Sequence, residues 1–280
     1  MRFEFIILGI AQDGGFPQIG CKLDCCKNVP IHKNFISSSA IIDNKSKEFW
    51  LIDVTPEFRY QIKLIETKVK SIIPKGIFIT HAHSGHYTGL NEFGKEVINS
   101  NELPIYVMPK MKTFLESNNP WKNLVNQRNI SLNELCDDNQ IYLHRDSSIQ
   151  PFKVNHRNEI SETVGFKIKG INNSIIYLPD IDYLELLNIK KLIKENDYIF
   201  LDGTFYSKDE IKFRDVNKIP HPFIEDTMET LKELSPKEKS KIYFTHLNHT
   251  NDALRNDSII YSKILNNNFN IASKGMRILL

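Results

Sequence analysis

The sequence predicts an α+β sandwich, two sheets packed face to face with helices on their outer sides. Strand-like segments outnumber helical ones, hairpin signals occur in both halves, and several strands are followed by an amphipathic helix. Apolar runs at 2–8, 38–42 and 49–53 read as strands, the last two joined by the turn-like Asp43-Asn44-Lys45-Ser46-Lys47. Pro56 opens a helix to about 66 with Phe58, Ile62 and Leu64 on one face. A buried strand at 77–80 follows, then a helix over 86–98 and a strand at 105–108. The polar stretch 110–135, with Pro120 and Trp121, reads as a helical insertion over the core and a candidate lid. Strands at 141–144, 152–155, 163–168 and 174–178 begin the second half. A helix over 183–195, a strand at 198–201, a helix over 223–234, and strands at 241–245 and 277–280 complete it.

At 280 residues and 41% hydrophobic content the chain can bury one large core, and no Pro/Gly/Ser-rich linker or repeat divides it. A single domain over 1–280 is expected. A net charge of +2 with scattered lysines calls for neither a nucleic acid nor an anionic membrane, so a small-molecule substrate is expected. An RNA would have to be recognised by the site itself, and a homodimer is left open. The opening apolar run is too short for an export signal or a membrane span, which points to a cytoplasmic setting. There thiols stay reduced, so the crowded Cys21, Cys25 and Cys26 suit a metal better than disulfides. Cys136, alone, reads as a small, partly buried side chain.

The segment Thr80-His81-Ala82-His83-Ser84-Gly85-His86 sets three imidazoles at a strand-to-helix turn. His81 and His83 leave the strand on one side and His86 can face them, as ligands of one centre must. Surface or merely hydrogen-bonded histidines are the plainer alternative, which three at this spacing disfavour.

His81-x-His83-x-Gly85-His86 resembles the His-x-His-x-Asp-His signature of the metallo-β-lactamase fold, which implies an αββα four-layer sandwich with one or two metals between its sheets. The resemblance makes Asp53 the supporting acid, His156 the next histidine, Asp180 the bridging carboxylate and His246 the last histidine. Within that fold, the run Ala11-Gln12-Asp13-Gly14-Gly15-Phe16-Pro17-Gln18, the segments Ser37-Ser38-Ser39-Ala40 and Asp53-x-x-Pro56-Glu57, and the later Asp202-Gly203-Thr204-Phe205 and Asn248-x-Thr250-Asn251 resemble the pyrroloquinoline quinone biosynthesis protein B family. Thr245-His246-x-x-His249 and the cysteine loop resemble cyclic phosphodiesterases of phosphonate breakdown, which implies a structural zinc on Cys21, Cys25, Cys26 and His249. Adjacent Cys25 and Cys26 are an awkward pair, and Asp24 or water in place of one is the alternative.

Two departures stand out. Gly85 replaces the signature's aspartate, so a weaker second metal position or a single metal is expected. His81 and His83 are present where the quinone-biosynthesis family lacks them. The expected chemistry is hydrolysis of a phosphodiester or ester by metal-activated water. His81, His83 and His156 would bind one ion, and His86, His246 and Asp180 a second. Zn²⁺ is expected at the structural site and the catalytic centre, with Mn²⁺ or Fe²⁺ as alternatives at the latter. The resemblance to those phosphodiesterases, which place a histidine on the loop before the helix over 223–234, implies His221 as the proton donor, a residue capping or packing locally being the alternative; Asp180 is the other candidate catalytic group. Arg157, Glu159, Glu162, Asp13 and Asp202 would orient ligands or make ion pairs, and His32 and His144 read as ordinary polar residues. The rival functions are an iron-dependent oxidative tailoring enzyme and a non-catalytic metal-bound scaffold.

Overall fold

The computed structural model describes residues 2–31, 33–184, 188–211 and 219–280. In the first half, β1 (Phe3–Gly9), β2 (Ser38–Asp43) and β3 (Glu48–Ile52) form an antiparallel meander. Onto β3 are added β4 (Gly76–Phe78), β5 (Leu103–Val107) and β6 (Ile130–Glu134), all parallel. In the second half, β7 (Ile141–His144), β8 (Ser147–Val154), β9 (Thr163–Lys169) and β10 (Ser174–Leu178) run antiparallel. They are extended in parallel by β11 (Tyr198–Asp202), β12 (Ile242–Thr245) and β13 (Asn270–Ile271). Finally β14 (Arg277–Leu279) returns to the first sheet and pairs with β1.

Side-chain alternation explains the layers. On β1, Phe5 and Ile7 point between the sheets, where the Phe5 ring lies 5.5 Å from Phe200 and 6.0 Å from Tyr177. Ile6 and Leu8 point the other way, into a second core with Phe58, Phe93 and Leu115. A strand buried on both faces reads as the continuous apolar run that β1 is. Short helices cover the first sheet: α1 (Phe58–Gln61), α2 (Ser84–Tyr87), α3 (Pro109–Ser117) and α4 (Trp121–Asn126). The second half carries α5 (Ile189–Glu195), α6 (Ile224–Thr230), α7 (Pro236–Lys239) and α8 (Ile259–Asn266), and buried Ile193, Ile224 and Ile264 join its core.

Several elements differ from expectation. The helix expected over 86–98 is the single turn α2 followed by 3₁₀ structure over residues 88–93, as Gly85, Gly89 and Gly94 weaken helix propensity there. The stretch 110–135 is no lid: α3 and α4 bury Met111, Leu115 and Leu124 against the first sheet, and β6 forms that sheet's edge. The helix expected over 183–195 is α5, with residues 185–187 outside the described ones, and that over 223–234 ends at Thr230. The strands β6 and β13 and the helices α7 and α8 lie where the sequence reading places no such element.

Strand direction positions the site. β1, β3 and β4 in one sheet and β8, β10, β11 and β12 in the other all run the same way within their sheet, because each antiparallel step is followed by another. Their carboxyl ends therefore share a rim, where loops of open sheets build sites. Those strand ends and the loops after them carry Asp13, Asp53, His81, His83, His86, His156, Asp180, Asp202 and His246.

Candidate metal centre

Asp53 lies at the base of the site. It adopts a left-handed conformation (φ 61°) just after β3, its side chain fully buried. One carboxylate oxygen accepts from the Thr80 backbone N–H (2.8 Å), and both accept from the Thr80 hydroxyl (3.0 and 2.9 Å). Oδ2 is 2.7 Å from His86 Nδ1, which leaves His86 Nε2 facing the centre. Fixing one ring nitrogen so that the other can ligate is the usual support of a metal-bound histidine. Thr80 Oγ1 does the same for His81 Nδ1 (3.0 Å), Asp182 for His156 Nδ1 (3.0 Å), and Thr204 for His246 Nδ1 (3.0 Å).

The donors converge in three groups, the third of which, Asp180, His221 and His246, shares Asp180 with the first and His246 with the second. His81, His83, His156 and Asp180 each offer an atom within 4.8 Å of the others, and so do Asp13, His86 and His246. Asp180 Oδ2 is 3.3 Å from His86 Nε2 and its Oδ1 is 3.6 Å from His156 Nε2, so this carboxylate stands between the groups. His81 Nε2, His86 Nε2, His246 Nε2, Asp13 Oδ1 and both Asp180 oxygens are buried without a hydrogen-bond partner. Buried polar atoms are seldom left so, and six facing one small volume match the donor set of a divalent cation.

The electrostatics agree. Burial, with His86 next, pushes the His81 imidazole well below its ordinary value, and burial takes His83 down to about 4. Both are neutral at pH 7, the form that binds metal. Burial opposes charge on Asp13 and Asp180 as well, yet the neighbouring His246 and His86 hold both carboxyls far below the usual range. His86 is the exception: burial opposes its protonation, but Asp53 and Asp180 outweigh it and hold this imidazole well above its ordinary value, so a cation at Nε2 would have to displace a proton. Among these donors His83 and Asp13 are only partly buried, so the approach to the centre lies on their side.

His221 sits beside this centre, its ring 5.1 Å from His156 and 5.9 Å from His246. It does not cap α6, whose N-cap is Phe223; its Nδ1 is 2.7 Å from Asp202 Oδ2. Burial works against its charged form and Asp202 overcomes this, raising its pKa. Asp202 is fully buried rather than a surface ion pair, and its other oxygen accepts from Thr204 (2.8 Å from the hydroxyl).

A second cluster lies in the loop between β1 and β2. Cys21, Cys25, Cys26 and His249 offer ligand atoms all within 4.8 Å of one another, with His249 Nδ1 3.5 Å from Cys25 Sγ and 3.4 Å from Cys26 Sγ. Both adjacent cysteines point inward, and Asp24 is exposed. Burial and the neighbouring thiols push Cys25 up to about 12, a crowding that a bound cation relieves.

Other residues fall elsewhere. Glu162 accepts from the Lys110 backbone N–H (3.0 Å) and ties its turn to α3, while Arg157 and Glu159 are exposed. His144 contacts Arg2 (2.7 Å), Cys136 is exposed rather than partly buried, and His32 lies outside the described residues. Sequence reasoning missed Asp182, which carries no motif signal, and undervalued Asp13 and Asp202.

A family model described as the beta-lactamase superfamily domain matches residues 50–247, from β3 to just past His246. The chain belongs to the metallo-β-lactamase superfamily. Among curated members, the Coenzyme PQQ synthesis protein B of Methylococcus capsulatus is 23% identical, over 98% of this chain and 99% of its own length. The solved structure of Zn²⁺-bound PqqB from Methylobacterium extorquens superposes with a TM-score of 0.79 at 18% identity, covering 99% of this chain and all of that one. A new diphosphatase from the PhnP family superposes with a TM-score of 0.72 at 21% identity, over 99% and 97% of the two chains. The superfamily's αββα sandwich, with its rim site between the sheets, is the architecture described above.

Proposed function

We propose that this superfamily member is a metal-dependent hydrolase of a small phosphodiester or ester. The observation that carries the reading is the set of six buried, unpartnered donor atoms shared by His81, His86, His246, Asp13 and Asp180. His81, His83 and His156 would hold one cation, with His86, His246 and Asp180 beside a second. A bound divalent cation supplies Lewis acidity and makes water a competent nucleophile near neutral pH. The cysteine cluster would hold a structural Zn²⁺, pinning a loop of little apolar content.

The remaining steps belong to side chains. Asp202 fixes the Nδ1 proton of His221, so Nε2 is the atom that hands a proton to the leaving oxygen. A cleft of about 250 Å³ is lined by Lys110, Lys153, Asn155, Asn158, Glu162 and Tyr183, and its wall includes Asn155 and Ile181, the sequence neighbours of His156 and Asp180. Two ammonium groups and two amides against the single carboxylate of Glu162 suit an anionic substrate.

The proton-donor assignment has a distinctive signature. His221→Ala should lower turnover of an alkyl phosphodiester about 10²–10⁴-fold and that of bis(p-nitrophenyl) phosphate far less, since p-nitrophenolate leaves without a proton. His83→Ala should abolish both. Equal losses on the two substrates in His221→Ala would remove His221 from that role, and unimpaired turnover in His83→Ala would sink the hydrolase.

A second reading, oxidation of a small molecule with iron at the same donors, is supported by curated relatives that match nearly the whole chain and are called Coenzyme PQQ synthesis protein B. Histidine and carboxylate donors suit non-haem iron. Oxygen uptake by the ferrous-loaded protein, with no phosphodiester turnover under zinc or manganese, would favour it.

A further inference from the structure

We propose that Asp13, from the loop after β1, is the carboxylate ligand of the second cation position, taking the place of the aspartate that the superfamily signature has where this chain has Gly85. The proposal rests on the metal reading above and deepens it. A Cβ on Gly85 would lie 2.3 Å from Asp13 Oδ1 and 2.8 Å from its carboxyl carbon. The volume that an aspartate at position 85 would need is thus already filled by a carboxylate from another segment, so a side chain there would have to displace Asp13.

Asp13 Oδ1 lies 3.2 Å from His86 Nε2 and 3.7 Å from His246 Nε2. All three atoms are buried without a hydrogen-bond partner, and their ligand atoms lie within 4.8 Å of one another. Asp180 Oδ2 approaches the same group from outside it, 3.3 Å from His86 Nε2. Two imidazoles and one carboxylate, with Asp180 adjacent, suit a divalent cation.

The placement of Asp13 is built into the backbone. Gln12 N–H donates to Leu247 O (2.9 Å) and Leu247 N–H to Ile10 O (2.7 Å), so the loop after β1 is stitched to the residue following His246. Asn248 adds a side-chain bond to Gln12 Oε1. Gly15 N–H returns to Gln12 O (2.8 Å), and the resulting tight turn presents Asp13 at its apex.

Metal content of the full chain, dialysed against Zn²⁺ or Mn²⁺ and read by inductively coupled plasma mass spectrometry, tests this. The Asp13→Asn variant is isosteric and should keep its fold, checked by circular dichroism, while losing about one equivalent of metal relative to the wild-type chain. Combining Asp13→Gly with Gly85→Asp should restore that equivalent by returning the carboxylate to the signature position. Gly85→Asp in the presence of Asp13 should instead lower the melting temperature. Wild-type metal content in Asp13→Asn, or a double variant no richer in metal than Asp13→Gly alone, would overturn the assignment while leaving the histidine centre standing. A wild-type chain with no ion beyond the cysteine cluster would overturn the centre itself and this assignment with it.

Discussion

Asp53 shows how one residue organises the centre without touching its open side. Its carboxylate is satisfied by Thr80 and His86, and its left-handed backbone turns the chain at the end of β3 so that Val54 N–H donates to His86 O (2.9 Å). Burial raises its pKa against the pull of His86, so the pair stands or falls together. Asp53→Ala strands a buried imidazole N–H and the Thr80 donors, which should cost about 3–5 kcal/mol in urea unfolding of chelator-treated protein. A loss below about 1 kcal/mol would mean that the pair contributes nothing in the absence of metal. At this scale the sequence was partly legible. The motif histidines stand together within the segment from His81 to His86, but whether Asp13 and Asp202 were surface ion pairs or buried partners depended on neighbours far along the chain.

At the scale of elements, the connection after β11 joins Asp202 to His221 through a turn held by Glu210. Its Oε1 accepts from the backbone N–H groups of Tyr206 and Ser207, and its Oε2 from Thr250 (3.2 Å). Burial nevertheless raises this carboxyl from 4.5 to about 7. The folded chain thus holds the Glu210 proton more tightly than the unfolded one. The stability this confers is fully present below about pH 4.5 and is lost as pH rises through about 7. Glu210→Gln keeps an accepting oxygen and removes the titration. Its melting temperature should fall less than wild type between pH 5 and pH 8, and parallel melting profiles would show that Glu210 ionises freely. The helix expected over 86–98 and the lid expected over 110–135 failed at this same scale. Amphipathic periodicity locates an apolar face but does not say which layer receives it, and here the first sheet does.

Across the whole molecule, the first half supplies Asp13, Asp53, His81, His83 and His86, and the second supplies His156, Asp180, Asp202 and His246. Ions held between them bind only the assembled sandwich, so metal should stabilise both halves at once. Stripping the protein with a chelator should lower the melting temperature, and refilling to about 100-fold above the dissociation constant should return about 2.7 kcal/mol. Melting that is indifferent to metal would show that the ions do not bridge the sheets. Among the described residues no helix is long and apolar enough to cross a membrane.

What the sequence determined by itself were the local patterns. The apolar runs of β1, β10 and β12, the imidazoles after β4, the order of acids and histidines at later strand ends, and the cysteine loop with His249 all follow from periodicity, turn chemistry and motif spacing within short stretches. Only the tertiary structure decided that Asp13 occupies the space beside Gly85, that Asp202 holds His221, and that β6 closes a sheet edge. Those relations depend on strand direction and on bonds such as Gln12 to Leu247, which join segments far apart in the chain. No local pattern records which distant backbone will fill the volume that a missing side chain leaves open.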